Sequence, residues 1–393
     1  METGKALRGS THLAFDAVDG VTHIVEGMYR NIAAGAWPLG KSPEGPAPGI
    51  AGFVHTAIRQ VSGISRSSLD LVLKQVAPRL DSIAPPGPRR EAIIAALNGV
   101  CGDHLARTGN PLAIPTRLRV GRAGPSDNIR KPGGRLLIAI HGLSMNDQEW
   151  TSQNLNHIET LANQHGFTPV YVSYNSGKHI SDNGRELSAA LDALVAGWPL
   201  PVESITLIGF SMGGLVARSA MLRAQQRQLG WINQVDKAVY IGTPHHGAVL
   251  ERGGFWLQKL LTYSPYTAPF AVLGRIRSDG IIDLRHGNLR DEDWQHHDAD
   301  SDNGDYRVPT PLAEGIEHYA IAATLSKKPG ERLGRLLGDG LVHPSSATGR
   351  HANPRHDLGL NRENTRILYD LGHLGMLCDP RVSDQLASWL GRV

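Results

Sequence analysis

The sequence predicts an α/β fold, a mostly parallel sheet flanked by helices, with an all-helical extension in front of it. Three observations lead there. Short apolar runs of β type recur at residues 135–140, 169–174, 205–208, 237–241, 319–324 and 365–369. Several are apolar on both faces instead of alternating, as strands covered by helices on each side must be. Segments of helical spacing separate them, which is the pattern of crossover connections in a parallel sheet. The first third of the chain contains helical stripes alone, so residues 1–131 form the N-terminal extension and 132–393 the α/β domain.

Composition fits that size. Of 393 residues, 40% are hydrophobic and 20% charged, enough for a sizeable core and unlike a disordered tail, a coiled coil or a stapled mini-protein. Forty basic against 37 acidic residues give +3, spread along the chain, so neither a nucleic-acid groove nor a polybasic membrane anchor is expected. Cys101 and Cys378 are the two cysteines, one in each half. They support neither a disulfide framework nor a paired-cysteine zinc site, and they suit two reduced thiols in a cytoplasmic protein. The first residues carry no apolar run, and polar residues interrupt every apolar segment well short of about 18 residues. No export signal or transmembrane segment is therefore expected.

Within the extension, Leu13, Val18, Val21, Ile24, Val25, Met28, Tyr29 and Ile32 lie at helical spacing. A proline-rich arm follows at 37–49, where missing backbone donors block helix. Further stripes run through Phe53 and Val61, Leu69 and Leu80, and Ile93 and Leu105. Three roles suit these helices: a second cap, a dimer surface that would make a homo-oligomer, or a membrane-surface element. Residues 249–316 interrupt the strand order as a cap-like insertion, with Phe255, Trp256, Leu260, Leu261, Tyr263, Tyr266 and Phe270. Such a segment lays apolar surface over a site, the alternative being a plain pair of core helices. Asp298, Asp300 and Asp302 resemble a calcium loop, but the closing bidentate Glu is missing. The stretch 291–305 reads as a solvated acidic loop, and no metal is expected.

The chemistry concentrates where the strands end. Ile205-Thr206-Leu207-Ile208 runs into Gly209-Phe210-Ser211-Met212-Gly213-Gly214 and then a helical pattern, which is the G-x-S-x-G elbow in its proper context. In a chain with 45 glycines the bare motif is weak; the strand before it and the helix after it make it a signal. The glycines are steric requirements, because Ser211 must sit on a tight turn whose backbone approaches its neighbours closely. The first strand ends in His141-Gly142-Leu143, where an acyl-transfer site needs its second oxyanion donor. The amides of Leu143 and Met212 fill that role, and His141 reads as structural. Gly242-Thr243-Pro244-His245-His246-Gly247 follows another strand, and its histidines shape the pocket. Asp339 lies in Gly338-Asp339-Gly340-Leu341, and His373 follows the last strand in Leu371-Gly372-His373. Ser211, Asp339 and His373 then supply nucleophile, orienting acid and base, each after its own strand. Asp283 is the rival acid.

These motifs resemble those of bacterial esterases and lipases of the α/β-hydrolase superfamily and their GPI-inositol-deacylase-like relatives. The resemblance covers residues 132–393 and implies the α/β-hydrolase fold. It implies Ser211, Asp339 and His373 as catalytic residues, and the Leu143 and Met212 amides as the oxyanion hole. It also implies a cofactor-free serine carboxylesterase for small or polymeric esters with apolar acyl or aryl groups. A lipase, polyester hydrolase or acyltransferase using the same residues stays open, as does a non-catalytic binding protein that kept the fold.

Overall fold

The computed structural model describes residues 88–121, 132–152, 155–248, 278–295, 305–329 and 338–391. The stripes expected before residue 88, the proline-rich arm and the apolar cap positions 255–270 lie outside the described residues. The chain divides into two units: residues 1–113 with 251–278, and residues 114–250 with 279–393. In the first unit, α1 (Pro88–Arg107) is kinked at Cys101, and Leu105 and Leu112 form its small core. Asn98 fastens the chain after this helix by donating to the Leu112 carbonyl at 2.7 Å.

The second unit holds a seven-stranded sheet. Its strands are β1 (Arg117–Val120), β2 (Arg135–Ile140), β5 (Thr168–Ser173), β6 (Ser204–Phe210), β7 (Val235–Ile241), β8 (Glu317–Thr324) and β9 (Thr365–Tyr369). The two-residue strands β3 (Thr151–Ser152) and β4 (Leu155–Asn156) pair separately. The spatial order is β1-β5-β2-β6-β7-β8-β9, with β1 antiparallel and every other pairing parallel. All six apolar runs read from the sequence are strands of this sheet. The seventh, β1, falls inside the segment expected to be all-helical. Its Arg-Leu-Arg-Val sequence alternates charged and apolar side chains, as a half-exposed edge strand does.

Side chains of a strand point alternately to the two faces. From β2, Leu137 and Ala139 join Tyr171, Ile208, Phe210, Val239 and Ile321 in one core layer, and α2 (His157–His165) and α7 (Pro380–Leu390) cover it. Leu136, Ile138 and Ile140 are equally buried on the opposite face, where α3 (Ile180–Ala196) and α4 (Met212–Arg227) pack together. Both faces of the central strands are thus covered, which is why a run such as 136–140 is apolar throughout, while the edge strand β9 leaves Arg366 and Ile367 exposed. Caps fix the helix ends: Asn156 accepts from the Glu159 amide at the start of α2, and Asp379 does the same for Arg381 ahead of Pro380 in α7.

Two segments of the expected insertion belong to this unit. Helix α5 (Asp279–His286) buries Ile281, Asp283 and Leu284. Asp293, expected in a solvated loop, is buried and accepts backbone amides from Leu289, Arg290 and Val308. A carboxylate with three backbone donors is a structural fastener. Among the described residues no helix is long and apolar enough to cross a membrane.

Trp389 closes the layer under α7. It is fully buried, stacks on Tyr319 at 4.8 Å and donates its indole N–H to the Glu363 carbonyl at 3.2 Å. Replacing it leaves a large void and an orphaned carbonyl, so Trp389→Ala is expected to lose about 3–5 kcal/mol. The check is a guanidinium denaturation midpoint, with the slope close to wild type.

Candidate active site

The sheet delivers Ser211, Asp339 and His373 to its carboxyl-terminal edge from β6, β8 and β9, where parallel sheets place their sites. Ser211 occupies the single position between β6 and α4, with φ 53° and ψ −122°, a region non-glycine residues rarely enter. Its amide donates to the Ile241 carbonyl at 2.8 Å, which holds the turn to the neighbouring strand. A Cβ at Gly213 would meet the Ile140 carbonyl oxygen at 2.2 Å, and one at Gly209 the Gly214 backbone at 2.5 Å. The two outer glycines of the motif are therefore steric necessities. Ser211 is 8% exposed.

His373 and Asp339 form a buried pair. Nδ1 of His373 donates to Asp339 Oδ2 at 2.7 Å, with the two residues 2% and 0% exposed. The other carboxylate oxygen accepts the amides of Leu341 and Val342 at 2.9 and 2.8 Å. The Asp-Gly-Leu-Val turn thus satisfies its own carboxylate and aims it. The His373 amide donates to the Asp339 carbonyl at 3.1 Å, so the two loops are tied through backbone as well as side chain. Gly242 connects this pair to the serine: it follows Ile241, and a Cβ there would lie 3.0 Å from His373 Cε1. The Phe210 ring, beside Ser211 in sequence, stands 5.1 Å from the imidazole.

Asp283 lies elsewhere. Its Oδ2 faces His179 Nδ1 at 3.0 Å and accepts the Ile180 amide at 2.8 Å, and its Oδ1 accepts from Asn288. This carboxylate anchors the start of α3, and the structure brings Asp339 to His373 in its place.

Gly142 closes against the serine, its Cβ position lying 3.3 Å from the Ser211 Cβ. The Gly142 carbonyl accepts from His141 Nδ1 at 2.9 Å. In a trans peptide the carbonyl and the following N–H point in opposite directions, so this bond turns the Leu143 amide away from the His141 ring. The Tyr174 hydroxyl donates to the His141 carbonyl at 2.7 Å, and its ring stacks on the imidazole at 4.3 Å. Ser176 Oγ accepts the amide of Ser144, whose φ is 59°. Met212 is the first residue of α4, where a helix amide has no carbonyl one turn back. The sequence reading missed Phe210, Tyr174 and Ser176; their spacing carried no signal, since each acts through a long-range contact.

His245 and His246 sit beyond Gly242, away from the Asp339 carboxylate. His245 is buried, and its Nδ1 faces Arg218 Nη1 at 3.2 Å. Among the described residues no group of three or more His, Cys, Asp or Glu is arranged to hold a metal ion.

Residues 131–302 match the family model described as PGAP1-like alpha/beta domain. No curated protein matches the chain. Among solved structures, the mature Bacillus licheniformis lipase BlEst2 is 17% identical, with TM-score 0.40, covering 70% of this chain and 98% of its own. A hyperthermophilic esterase from Pyrobaculum calidifontis is 14% identical, with TM-score 0.40, over 82% of this chain and 96% of its own. The Pyrococcus furiosus esterase Pf2001 is 15% identical, with TM-score 0.39, over 66% and 82%. The mostly parallel sheet flanked by helices, with its antiparallel edge strand, is an α/β-hydrolase fold.

The buried histidines give the stability a pH dependence whose sign is fixed. Burial lowers His141 and His318 to about 4 each, and burial with the charge of Arg218 holds His245 well below its ordinary value. These groups stay neutral in the folded protein and take up protons on unfolding below about 6.5. Their contribution is therefore full above 6.5 and lost as the pH falls toward 4, about 3 kcal/mol for His141 alone. Glu149, pushed up to about 8 by burial, opposes this trend, since it favours folding at lower pH. His179, raised against its burial by Asp283 and Asp279, and Asp293, raised by burial, act in the same direction as Glu149, against the lowered His141, His157, His245, His246 and His318. Guanidinium midpoints at pH 7, 5.5 and 4.5 are expected to fall in that order; a midpoint that holds or rises would contradict the assignment.

Proposed function

We propose that the protein is a serine carboxylesterase that hydrolyses esters with apolar acyl or aryl groups through an acyl-enzyme. The observation that carries this reading is the buried His373–Asp339 pair, fixed by backbone bonds beside a serine on a sharp strand-to-helix turn. With Nδ1 bound to the carboxylate, His373 keeps Nε2 as the basic nitrogen and removes the Ser211 proton as Oγ attacks the ester carbonyl. Asp339 holds that tautomer and offsets the imidazolium charge without taking the proton. The amides of Leu143 and Met212 stabilise the oxyanion. His373 then passes the proton to the leaving alkoxide, which departs as the alcohol. Water, deprotonated by the same imidazole, attacks the acyl-serine, and the carboxylic acid leaves with Ser211 restored. The two free thiols, Cys101 and Cys378, suit a reducing compartment, and the reading places the enzyme in the cytoplasm.

Hydrolysis of p-nitrophenyl esters from acetate to palmitate tests this reading, with wild type and variants side by side. Ser211→Ala is expected to lose at least about 10⁴-fold in kcat, and a fluorophosphonate probe to label wild type at Ser211 alone. An Ser211→Ala variant with full activity would sink the mechanism. Asp339→Asn is expected to cost on the order of 10⁴-fold, because the amide no longer selects the tautomer. Asp283→Asn separates the two carboxylates: it weakens the α3 anchor and lowers stability, while kcat of the folded fraction stays within about threefold of wild type.

A further inference from the structure

The chain leaving β2, His141-Gly142-Leu143-Ser144, lies against the chain leaving β5, Tyr174-Asn175-Ser176-Gly177. The Tyr174 hydroxyl donates to the His141 carbonyl at 2.7 Å, its ring stacks on the His141 imidazole at 4.3 Å, and Ser176 Oγ accepts the Ser144 amide at 2.9 Å. These bonds grip the first turn on both sides of Gly142 and Leu143. The gripping turn is itself fixed. Asn175 Oδ1 accepts the Gly177 amide at 3.1 Å, and the Asn175 carbonyl accepts Asn183 Nδ2 of α3 at 2.9 Å. The Gly177 carbonyl accepts the Gly280 amide of α5 at 3.0 Å.

Between the two grips one donor is left over. Leu143 is 5% exposed, and its amide has no hydrogen-bond partner among the described residues. A buried N–H without a partner is rare, because folding then strips water from it with nothing in return. The Gly142 carbonyl accepts from His141 Nδ1, which turns the Leu143 amide away from that ring, and Gly142 packs against the Ser211 side chain. Glycine has no side chain to restrict its own φ and ψ. The aim of the amide that follows it therefore depends on what holds residues 141 and 144.

We propose that Tyr174 and Ser176 are positioning residues for acyl transfer, holding this turn so that the Leu143 amide donates to the ester carbonyl oxygen as that oxygen becomes negative. The proposal rests on the esterase reading of Ser211 and adds two residues that act through the His141 carbonyl and the Ser144 amide. A donor fixed before substrate arrives needs no reorganisation, so its contribution falls on the transition state instead of on substrate binding.

Tyr174→Phe, which keeps the ring and removes one oxygen, is the test, read on the p-nitrophenyl ester that wild type cleaves best. Its kcat is expected to fall about 10- to 100-fold with KM within about twofold of wild type. The pH midpoint of kcat stays in place, because the His373–Asp339 bond is untouched. Ser176→Ala is expected to act the same way with a smaller loss. A trifluoromethyl ketone supplies the second readout: Ser211 Oγ adds to its carbonyl carbon, the hydroxyl proton passes to His373, and the carbonyl oxygen becomes the oxyanion. Its affinity for each variant is expected to fall by the factor lost in kcat/KM. A kcat within about twofold of wild type in both variants overturns the proposal, as does a loss carried by KM or a shifted pH midpoint. If one variant fails to fold, the other decides. If both fail, a crystal structure of wild type with the ketone decides: a hemiketal oxygen bonded to the Leu143 amide supports the proposal, and one turned away from it refutes it. Failure of the underlying reading looks different. Full activity in Ser211→Ala, or a wild type inert to every ester and to the ketone, overturns both, whereas an inactive Ser211→Ala beside an unchanged Tyr174→Phe and Ser176→Ala overturns this proposal alone.

Discussion

The site depends on how closely the first turn of α4 approaches the end of β2. The carbonyls of Ile140 and His141 occupy the space a side chain at 213 would need, at 2.2 and 2.5 Å from where its Cβ would stand. That approach leaves the chain no relaxed route from β6 into the helix, and Ser211 takes up the difference in its backbone. A non-glycine residue at φ 53° costs on the order of 1–3 kcal/mol, and it persists only where its surroundings over-determine it. Here the surroundings are the fully buried strands on both sides and the bond from the Ser211 amide to Ile241. The strain lifts the hydroxyl clear of the helix. The same approach presses Gly142 against the serine, so Ser211 and the turn at Gly142 and Leu143 are positioned by one contact.

The second fixed element is the His373–Asp339 pair, and its precision comes from backbone. Asp339 is held by the amides of its own turn, and that turn is tied to the end of β8, where the Leu325 amide donates to the Gly338 carbonyl at 2.8 Å. On the far side of the pair, His157 donates from Nε2 to the Met376 carbonyl at 2.8 Å, clamping the chain just after His373 onto α2. Imidazole and carboxylate therefore meet with little freedom left to lose, in surroundings of low dielectric where the bond between them is strong.

The sheet was legible in the sequence because burial of its central strands on both faces leaves short apolar runs rich in β-branched residues, separated by segments of helical spacing. The edge strand β1 escaped because its signature is the weaker alternation of Arg117, Leu118, Arg119 and Val120. The elbow and His373 were legible because local geometry restricts what can follow a strand there. The acid was not decided by the residues alone: Asp283 and Asp339 both stand near glycine in apolar surroundings. They differ in partners, His179 for one and His373 for the other, the first pair 104 residues apart in the chain. Asp293 and Arg218 were missed for the same reason. Each reads as a polar surface residue, and each is buried by residues 305–310, a segment with no regular structure of its own to announce it.

Three histidines at the strand ends show how one residue type is given different work by what its Nδ1 meets. At His141 the partner is a carbonyl, the ring is buried, and its pKa falls to about 4, so it stays neutral and serves to aim a peptide. At His245 the partner is a cationic guanidinium, which forces Nδ1 to accept and makes protonation still less favourable. Neither ring gains by becoming an imidazolium, which is what a general base must do as it takes a proton. At His373 the partner is a carboxylate, and there alone among the three the charged form is compensated at contact distance. Burial of a comparable degree thus leaves two rings without a carboxylate partner and one bonded to Asp339, and the proposed mechanism follows from that difference.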